Sequence, residues 1–335
     1  MSRKILVTGG AGFIGSNFIH YWVDRYPEDT IINLDKLTYA GNLDNLKALE
    51  GNPRYYFVKG DISDSEVVGG LFQKGLNVVV NFAAETHVDR SIGDPDDFIR
   101  TDVYGTYVLL EAARHNEVEC FIQISTDEVY GSVEDGFSRE TDPLMPRNPY
   151  AASKAGADRL AYSYFATYDL PVIITRASNN FGPYQYPEKV IPLFVTNALD
   201  SIPLPLYGDG LNIRDWLFVD DHCRAVDLLI QRGEKGEVYN IGGGNLLTNQ
   251  DLTGQILKYL GLPETLVRRV RDREGHDRRY ALDSSKIKKL GWTPGADYDN
   301  ELKSTIDWYR DNRWWWEKIK SGEFKAYYQK QYSNR

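Results

Sequence analysis

Lys4-Ile5-Leu6-Val7-Thr8-Gly9-Gly10-Ala11-Gly12-Phe13-Ile14-Gly15 is the stretch that decides the fold. It opens as an apolar strand pattern, and a helical run follows from Ser16 towards Val23. Between them, Gly9, Gly12 and Gly15 stand where the chain must turn tightly, approach a ligand with bare backbone, and pack helix closely on strand. The helix N-terminus then faces the ligand with unpaired N–H groups, which suits a pyrophosphate. The next strand pattern, Thr30–Asp35, ends in an acid twenty positions beyond Gly15. A carboxylate there binds a ribose 2′-hydroxyl and repels a 2′-phosphate, so the expected cofactor is NAD rather than NADP.

Strand patterns continue at 55–59, 78–82, 121–124 and 172–176, and helical patterns at 98–114 and 151–168 flank the strand that runs from Phe121 to Ile124. This rhythm predicts an α/β fold with a doubly wound parallel sheet of Rossmann type, joined to a smaller α/β substrate-binding lobe towards the C-terminus. Beyond Arg176 the pattern changes. The stretches 179–184 and 202–210 read as loops and turns, where binding groups tend to sit. Helix 220–232 and strand 238–241 look regular enough to return to the first domain. The expected division is 1–178 with 211–244 for the cofactor, and 179–210 with 245–335 for the substrate.

Composition narrows the partners. With 39 basic and 48 acidic residues the formal net charge is -9, which argues against general affinity for nucleic acid or anionic membrane. Cys120 and Cys223 lack metal-type spacing and fit a reducing cytoplasm. The start, Met1-Ser2-Arg3-Lys4, enters a strand too brief for a secretory segment, and no run is long enough to span a bilayer.

Chemistry is expected where the strand at 121–124 ends. In an open α/β sheet ligands sit outside the carboxyl ends of the strands, so Thr126, Asp127 and Glu128 should project, unburied, into a cleft. Tyr150 and Lys154 lie four apart on one helical face, and a cation beside a phenol favours phenolate. The small pair Ala83-Ala84 suits backbone lying against a flat cofactor. His87 reads as a loop histidine bonded to Asp89, and no metal site is expected. The basic stretch 268–280 is either a solvated loop or a diphosphate-binding arm, since guanidinium groups pair bidentately with phosphate. Trp314, Trp315 and Trp316 read as helix packing rather than a stacking platform.

The segments 8–15, 35–42, 87–91, 125–131, 150–154, 178–184 and 275–280 together resemble the extended short-chain dehydrogenase/reductases, and within them the dTDP-glucose 4,6-dehydratase branch, over nearly the whole chain. Thr126-Asp127-Glu128 before Val129-Tyr130-Gly131 carries the narrower likeness. The resemblance implies NAD held at Phe13, Ile14, Asp35, Lys36, Leu37, Thr38, Asp61, Ile62, Ala83, Ala84, Glu85, Thr101, Tyr150, Lys154 and Asn180. It implies sugar-nucleotide contacts from Thr86, Thr126, Asn179, Lys189, Val190, Ile191, Pro192, Leu193 and Phe194. Further contacts are implied from Pro205, Leu206, Tyr207, Arg214, Asn249, Asp272, Arg273, Glu274, Gly275 and His276. Asp102 and Glu274 depart from the usual asparagine and proline of relatives.

The implied reaction acts on a nucleotide sugar, dTDP-glucose, in deoxysugar (rhamnose-type) precursor synthesis. Tyr150, aided by Thr126, takes the O4 proton while hydride leaves C4. Glu128 takes the C5 proton, Asp127 donates to the departing C6 hydroxyl, and hydride returns to C6. Alternatives are a 4-epimerase, a dehydratase of a UDP-, CDP- or GDP-sugar, or an idle NAD-binding module. A homodimer is expected through helices 98–114 and 151–168, with Tyr104, Tyr107, Leu160 and Tyr164 at the interface.

Overall fold

Twelve strands are present among the described residues, 2–295, 297–321 and 323–332, of the computed structural model; the reading of Met1 lies outside these. They are β1 (Lys4–Thr8), β2 (Thr30–Asp35), β3 (Tyr55–Lys59), β4 (Val78–Asn81), β5 (Cys120–Thr126), β6 (Val172–Ala177), β7 (Asn179–Phe181), β8 (Leu204–Tyr207), β9 (Ile213–Phe218), β10 (Val238–Ile241), β11 (Leu246–Thr248) and β12 (Val267–Val270). Seven of them form one sheet in the order β10-β6-β5-β4-β1-β2-β3. Every pairing within it is parallel. The chain runs outward from β1 in both directions, so a crevice opens between the carboxyl ends of β1 and β4, where the strand order reverses.

Parallel strands covered on both faces are apolar on both, and this is why the strands read as near-continuous hydrophobic runs. Ile5 and Val7 pack on one face with Trp22 of helix Phe13–Arg25 and Leu229 of helix Val219–Arg232. Leu6 packs on the other with Leu71 of helix Ser65–Phe72, Leu109 of helix Thr106–Arg114 and Ala161 of helix Pro149–Tyr168. The helix expected over 98–114 is interrupted. Its first part, Ile99–Gly105, is a π-helix, a wider turn that places Asp102 towards helix Pro149–Tyr168.

The second lobe has its own core, in which Phe194, Trp216, Ile256, Tyr309, Trp315 and Trp316 are buried together. Two stretches read as loops contain strands. β7 pairs with β9, and β8, inside 202–210, pairs with β12 at the start of the basic stretch. Their brevity and the prolines around them hide the alternation that would mark a strand. β9 also pairs with β11, so of the stretch 211–244 it is the part from Val219 onward that packs on the main sheet. The tryptophan run packs as expected at Trp315 and Trp316, while Trp314 is 46% exposed. Trp315 Nε1 donates to Asn45 Oδ1 at 2.8 Å, and Asn45 Nδ2 donates to Ala11 O at 2.9 Å, linking the second lobe to the glycine turn.

Helix Pro149–Tyr168 is fixed to the sheet by charge as well as by packing. Arg176, 1% exposed on β6, donates from Nε to Asp158 Oδ2 at 2.8 Å and from Nη1 to Tyr130 Oη at 2.7 Å. Removing one partner of a buried pair strands the other charge, typically at a cost of about 3–5 kcal/mol. Arg176→Met should lower stability to urea by that order, and adding Asp158→Leu should recover much of it. An Arg176→Met variant that unfolds at the parental urea concentration would refute this account of how the helix is anchored.

Candidate active site

The glycine turn leaves little room for anything but glycine. Gly9 has φ +66°, and a Cβ on it would lie 2.7 Å from the Ala83 backbone; a Cβ on Gly15 would lie 2.4 Å from Gly9 O. Gly12 faces the cleft, so a side chain there would fill the space a pyrophosphate needs. At the end of β2, Asp35 accepts from Ala11 N and Leu37 N, both at 2.8 Å. Each carboxylate oxygen keeps a lone pair for a ribose hydroxyl. These features fit NAD. Phe13, Ile14, Lys36, Thr38, Asp61, Ile62, Ala83, Ala84, Glu85, Thr101 and Asn180 line the same cleft. Leu37 is not among its lining residues; it serves through its backbone, at φ +56°.

At the far end of this cleft β5 delivers the reactive groups. Thr126 ends the strand and caps a 3-10 turn, Asp127–Tyr130, accepting from Glu128 N at 3.3 Å. The turn sends the two adjacent acids into different surroundings. Asp127 is 3% exposed, which corrects the expectation that it would be unburied. Burial, and then the charge of Glu128, hold its carboxyl well above the usual range, so it is placed to carry a proton. Its Oδ1 accepts from Thr126 Oγ1 at 3.1 Å, while Oδ2 has no partner among the described residues. Glu128 is only half-buried and accepts from Asn148 Nδ2 at 3.3 Å.

Asn148 also caps helix Pro149–Tyr168, accepting from Ala151 N at 2.8 Å, and Pro149 begins the helix. The side chain that starts the helix therefore also touches the candidate base. One turn on, Tyr150 and Lys154 are both buried in the cleft. The Lys154 ammonium, expected to stand beside the phenol, is also tied to the sheet. Lys154 Nζ donates to Ile124 O at 2.7 Å, and its charge is offset by Asp102 and Asp158. Burial pushes the Tyr150 phenol well above its ordinary value, Glu128 and Asp102 add to this, and the contact that lowers it is the Thr126 hydroxyl.

Many of the residues expected to contact substrate line a second chamber that adjoins the first at Glu128, Asn179 and Lys189. Val190, Leu193, Phe194, Pro205, Leu206, Tyr207, Arg214, Asn249, Arg273 and His276 line it. Arg273 Nε is buried without a partner among the described residues, beside an Arg214 whose guanidinium lies over the Tyr280 ring. Two cations facing one chamber favour the diphosphate-arm reading of the basic stretch over the solvated loop. Thr86 lines the first chamber and gives its carbonyl to Lys189 Nζ at 2.6 Å. Ile191 packs in the second lobe's core instead, and Pro192 beside it is buried but lines neither chamber. Asp272 acts behind His276, whose Nδ1 is 2.6 Å from its Oδ1, while Glu274 and Gly275 are exposed and line neither chamber.

Three features of the site differ from the sequence reading or go beyond it. His87 is buried rather than in an open loop, with Nε2 3.9 Å from Glu188 and Nδ1 3.4 Å from Tyr327 Oη. Tyr332, far along the chain, lines the second chamber. Asp102 is buried behind the helix, accepting from Ser153 Oγ at 2.6 Å and from Glu85 N at 3.0 Å.

Burial pushes Asp102 up to about 6 from 3.8, against the pull of Lys154 and Ser153. Its folded value is the higher one, so its contribution to stability is present below the ordinary aspartate range and lost as pH rises through 6. Asp102→Asn keeps both hydrogen bonds, with its amide donating to Ser153 Oγ. The variant should melt higher than the parent above that window and lose the slope within it. Removing the negative charge also lowers the Tyr150 phenol, so the acid limb of single-turnover cofactor reduction should move to lower pH. Superimposable pH profiles would show that the Asp102 charge is not felt at Tyr150.

Comparison with known proteins agrees with this geometry. A family model described as GDP-mannose 4,6 dehydratase matches residues 6–305. The dTDP-glucose 4,6-dehydratase of Streptomyces antibioticus is 54% identical, with 95% of each chain covered. The crystal structure of the dTDP-glucose 4,6-dehydratase of Streptomyces venezuelae, with NAD and dTDP bound, superimposes with a TM-score of 0.93 at 51% identity, covering 94% of this chain and 99% of that one. The UDP-glucose 4-epimerase of Thermotoga maritima superimposes with a TM-score of 0.86 at 30% identity, covering 92% and 99%. With its glycine turn, its Tyr150–Lys154 helix and a family match over most of its length, the chain belongs to the GDP-mannose 4,6 dehydratase family.

Proposed function

We propose that the protein is a NAD-dependent dTDP-glucose 4,6-dehydratase, converting dTDP-glucose to dTDP-4-keto-6-deoxyglucose and water. The observation that carries this is the pair Asp127 and Glu128, held at unequal burial on one turn beside Thr126, Tyr150 and Lys154. Epimerisation at C4 uses the tyrosine and the cofactor but has no need for an acid and a base at C6 and C5. The dehydratase relatives, near 50% identity, also match more closely than the epimerase at 30%.

The residues divide the work by what each can hold. The residues lining the first chamber would hold NAD, which would supply the hydride acceptor for C4, the donor for C6 and, when oxidised, a positive charge that favours phenolate. Tyr150 takes the O4 proton. The 4-ketone acidifies C5–H, which Glu128 removes. Asp127, kept protonated by burial, gives its proton to the leaving C6 hydroxyl. Arg214, Arg273 and Lys189 offset the substrate's phosphates at the chamber wall.

The protein acts as a homodimer in the cytoplasm and feeds deoxysugar synthesis of the rhamnose type. Supporting the dimer, Ile99, Tyr104 and Tyr107 are 53%, 49% and 42% exposed on the first expected interface helix, and Tyr162 and Tyr168 are 42% and 51% exposed on the second. Leu160 is half-buried, and Tyr164 is buried within its own chain, donating to Glu111 Oε1 at 2.6 Å, so it supports the helix pair from behind. Two buried free cysteines suit a reducing compartment. Among the described residues no helix is long and apolar enough to cross a membrane.

The chemistry is tested by deuterium at C4 of dTDP-glucose, which should reappear at C6 of the product, with solvent supplying the hydrogen at C5. Glu128→Gln and Asp127→Asn should slow elimination by about 10²–10⁴ while reduced cofactor still accumulates, whereas Tyr150→Phe should leave the cofactor oxidised. Wash-out of the label to solvent, or parental dehydration by both carboxyl variants, would overturn these assignments of acid, base and hydride path. For assembly, light scattering should give a dimer mass that falls to the monomer when Tyr104 and Tyr107 are both changed to Glu. A monomeric parent would rule the interface out.

A further inference from the structure

A catalyst must finish each cycle with its groups as they began, and counting protons shows a gap. The O4 proton goes to Tyr150 as hydride leaves C4 and the C4=O bond forms. The C5 proton goes to Glu128, the C6–O bond breaks, and the Asp127 proton leaves with that oxygen as water. Hydride adds to C6 while Glu128 returns a proton to C5. Cofactor and Glu128 are restored, but Tyr150 now holds one proton too many and Asp127 one too few.

One hydroxyl joins these two groups. Thr126 Oγ1 donates to Asp127 Oδ1 at 3.1 Å, and in the same cleft it lies close enough to the Tyr150 phenol to lower it. Asp127 is 3% exposed and Tyr150 8%, so bulk water has poor access to either. Lys154 commits its ammonium to Ile124 O at 2.7 Å. Asp127 Oδ2 has no partner among the described residues, which leaves Oδ1 as the oxygen that links this carboxyl to the protein.

We infer that Thr126 returns the proton: the Tyr150 O–H bond breaks as its proton passes to Thr126 Oγ1, and the Thr126 proton passes to Asp127 Oδ1. Phenolate and carboxylic acid are regenerated with one proton moved, no electrons exchanged and no exchange with solvent. Burial beside Glu128 strengthens the hold of Asp127 on a proton, and because the same surroundings also hold the Tyr150 proton, the transfer depends on the positive charge that the oxidised cofactor would place on the phenolate side. A half-turn of the carboxyl about Cβ–Cγ then presents the proton on the side left free for the next substrate. The inference rests on the dehydratase reading above.

The test compares first-turnover and steady-state dehydration of dTDP-glucose by the holoenzyme, using rapid quench. Thr126→Val removes the relay, so the ratio of first-turnover to steady-state rate should rise by about 10²-fold over the parent, the usual scale for losing a positioned proton-transfer group. Small weak-acid buffers should raise the variant's steady-state rate without changing its first turnover, and Thr126→Ser should keep the parental ratio. A second reading needs no turnover: phenolate absorbance, taken as a difference from Tyr150→Phe, should appear at higher pH in Thr126→Val. A parental ratio in Thr126→Val, or an unmoved phenolate titration, overturns the relay alone. A parent that releases no water from dTDP-glucose overturns the dehydratase reading and the relay with it.

Discussion

Two neighbouring carboxyls that must differ by a proton impose the governing constraint on this molecule. Side by side in an extended strand they would point to opposite faces and meet different solvents, but neither would be aimed at one substrate. The 3-10 turn at Asp127–Tyr130 solves this by folding both towards the cleft while burying one. Thr126 holds the start of the turn and Asn148 meets its second acid. The start of helix Pro149–Tyr168 is thus set by the same residue that fixes the base. The Arg176–Asp158 pair then keeps that helix in register with β6.

Putting so many ionisable groups in a low-dielectric cleft carries a cost that the fold offsets locally. Asp102, Asp127, Glu85 and Tyr150 are all pushed upward, chiefly by burial, while Lys154 and Lys189 are pushed downward by the same cause. Each change reduces the number of charges held away from water. The buried lysines are satisfied by backbone carbonyls, Ile124 O for one and Thr86 O for the other. Thr86 lies beyond the end of β4, and Ile124 lies on β5 just past the last residue that pairs with β4.

Much of this was legible because local pattern and global fold agree. The glycine turn, Asp35 and the alternation of strands and helices name a fold whose ligand crevice is set by topology, so residues at strand ends could be placed without coordinates. What escaped is what depends on distant partners. The burial of Asp127 follows from a turn that the apolar run at 121–124 does not announce. The bond from Lys154 to Ile124 O joins residues thirty apart, and the π-helical turn that brings Asp102 to the same helix has no marker in Ile99–Gly105. β8 and β12 were hidden because each is only four residues long and proline stands in or beside β8. Tyr332 reaches the substrate chamber from the far end of the chain, and no spacing rule relates the two.

The contact of Trp315 with Asn45, and of Asn45 with Ala11, has a consequence for the order in which the protein is made. The cofactor turn at 9–15 leaves the ribosome long before Trp315, whose indole steadies it. A nascent chain can pair β1 with its neighbours early, but the loop that receives the pyrophosphate lacks its final support until residue 315 has emerged. Cofactor capture is thereby deferred until Trp315 has emerged, and a truncation before that residue would be felt three hundred or so positions earlier, in the hold on the dinucleotide.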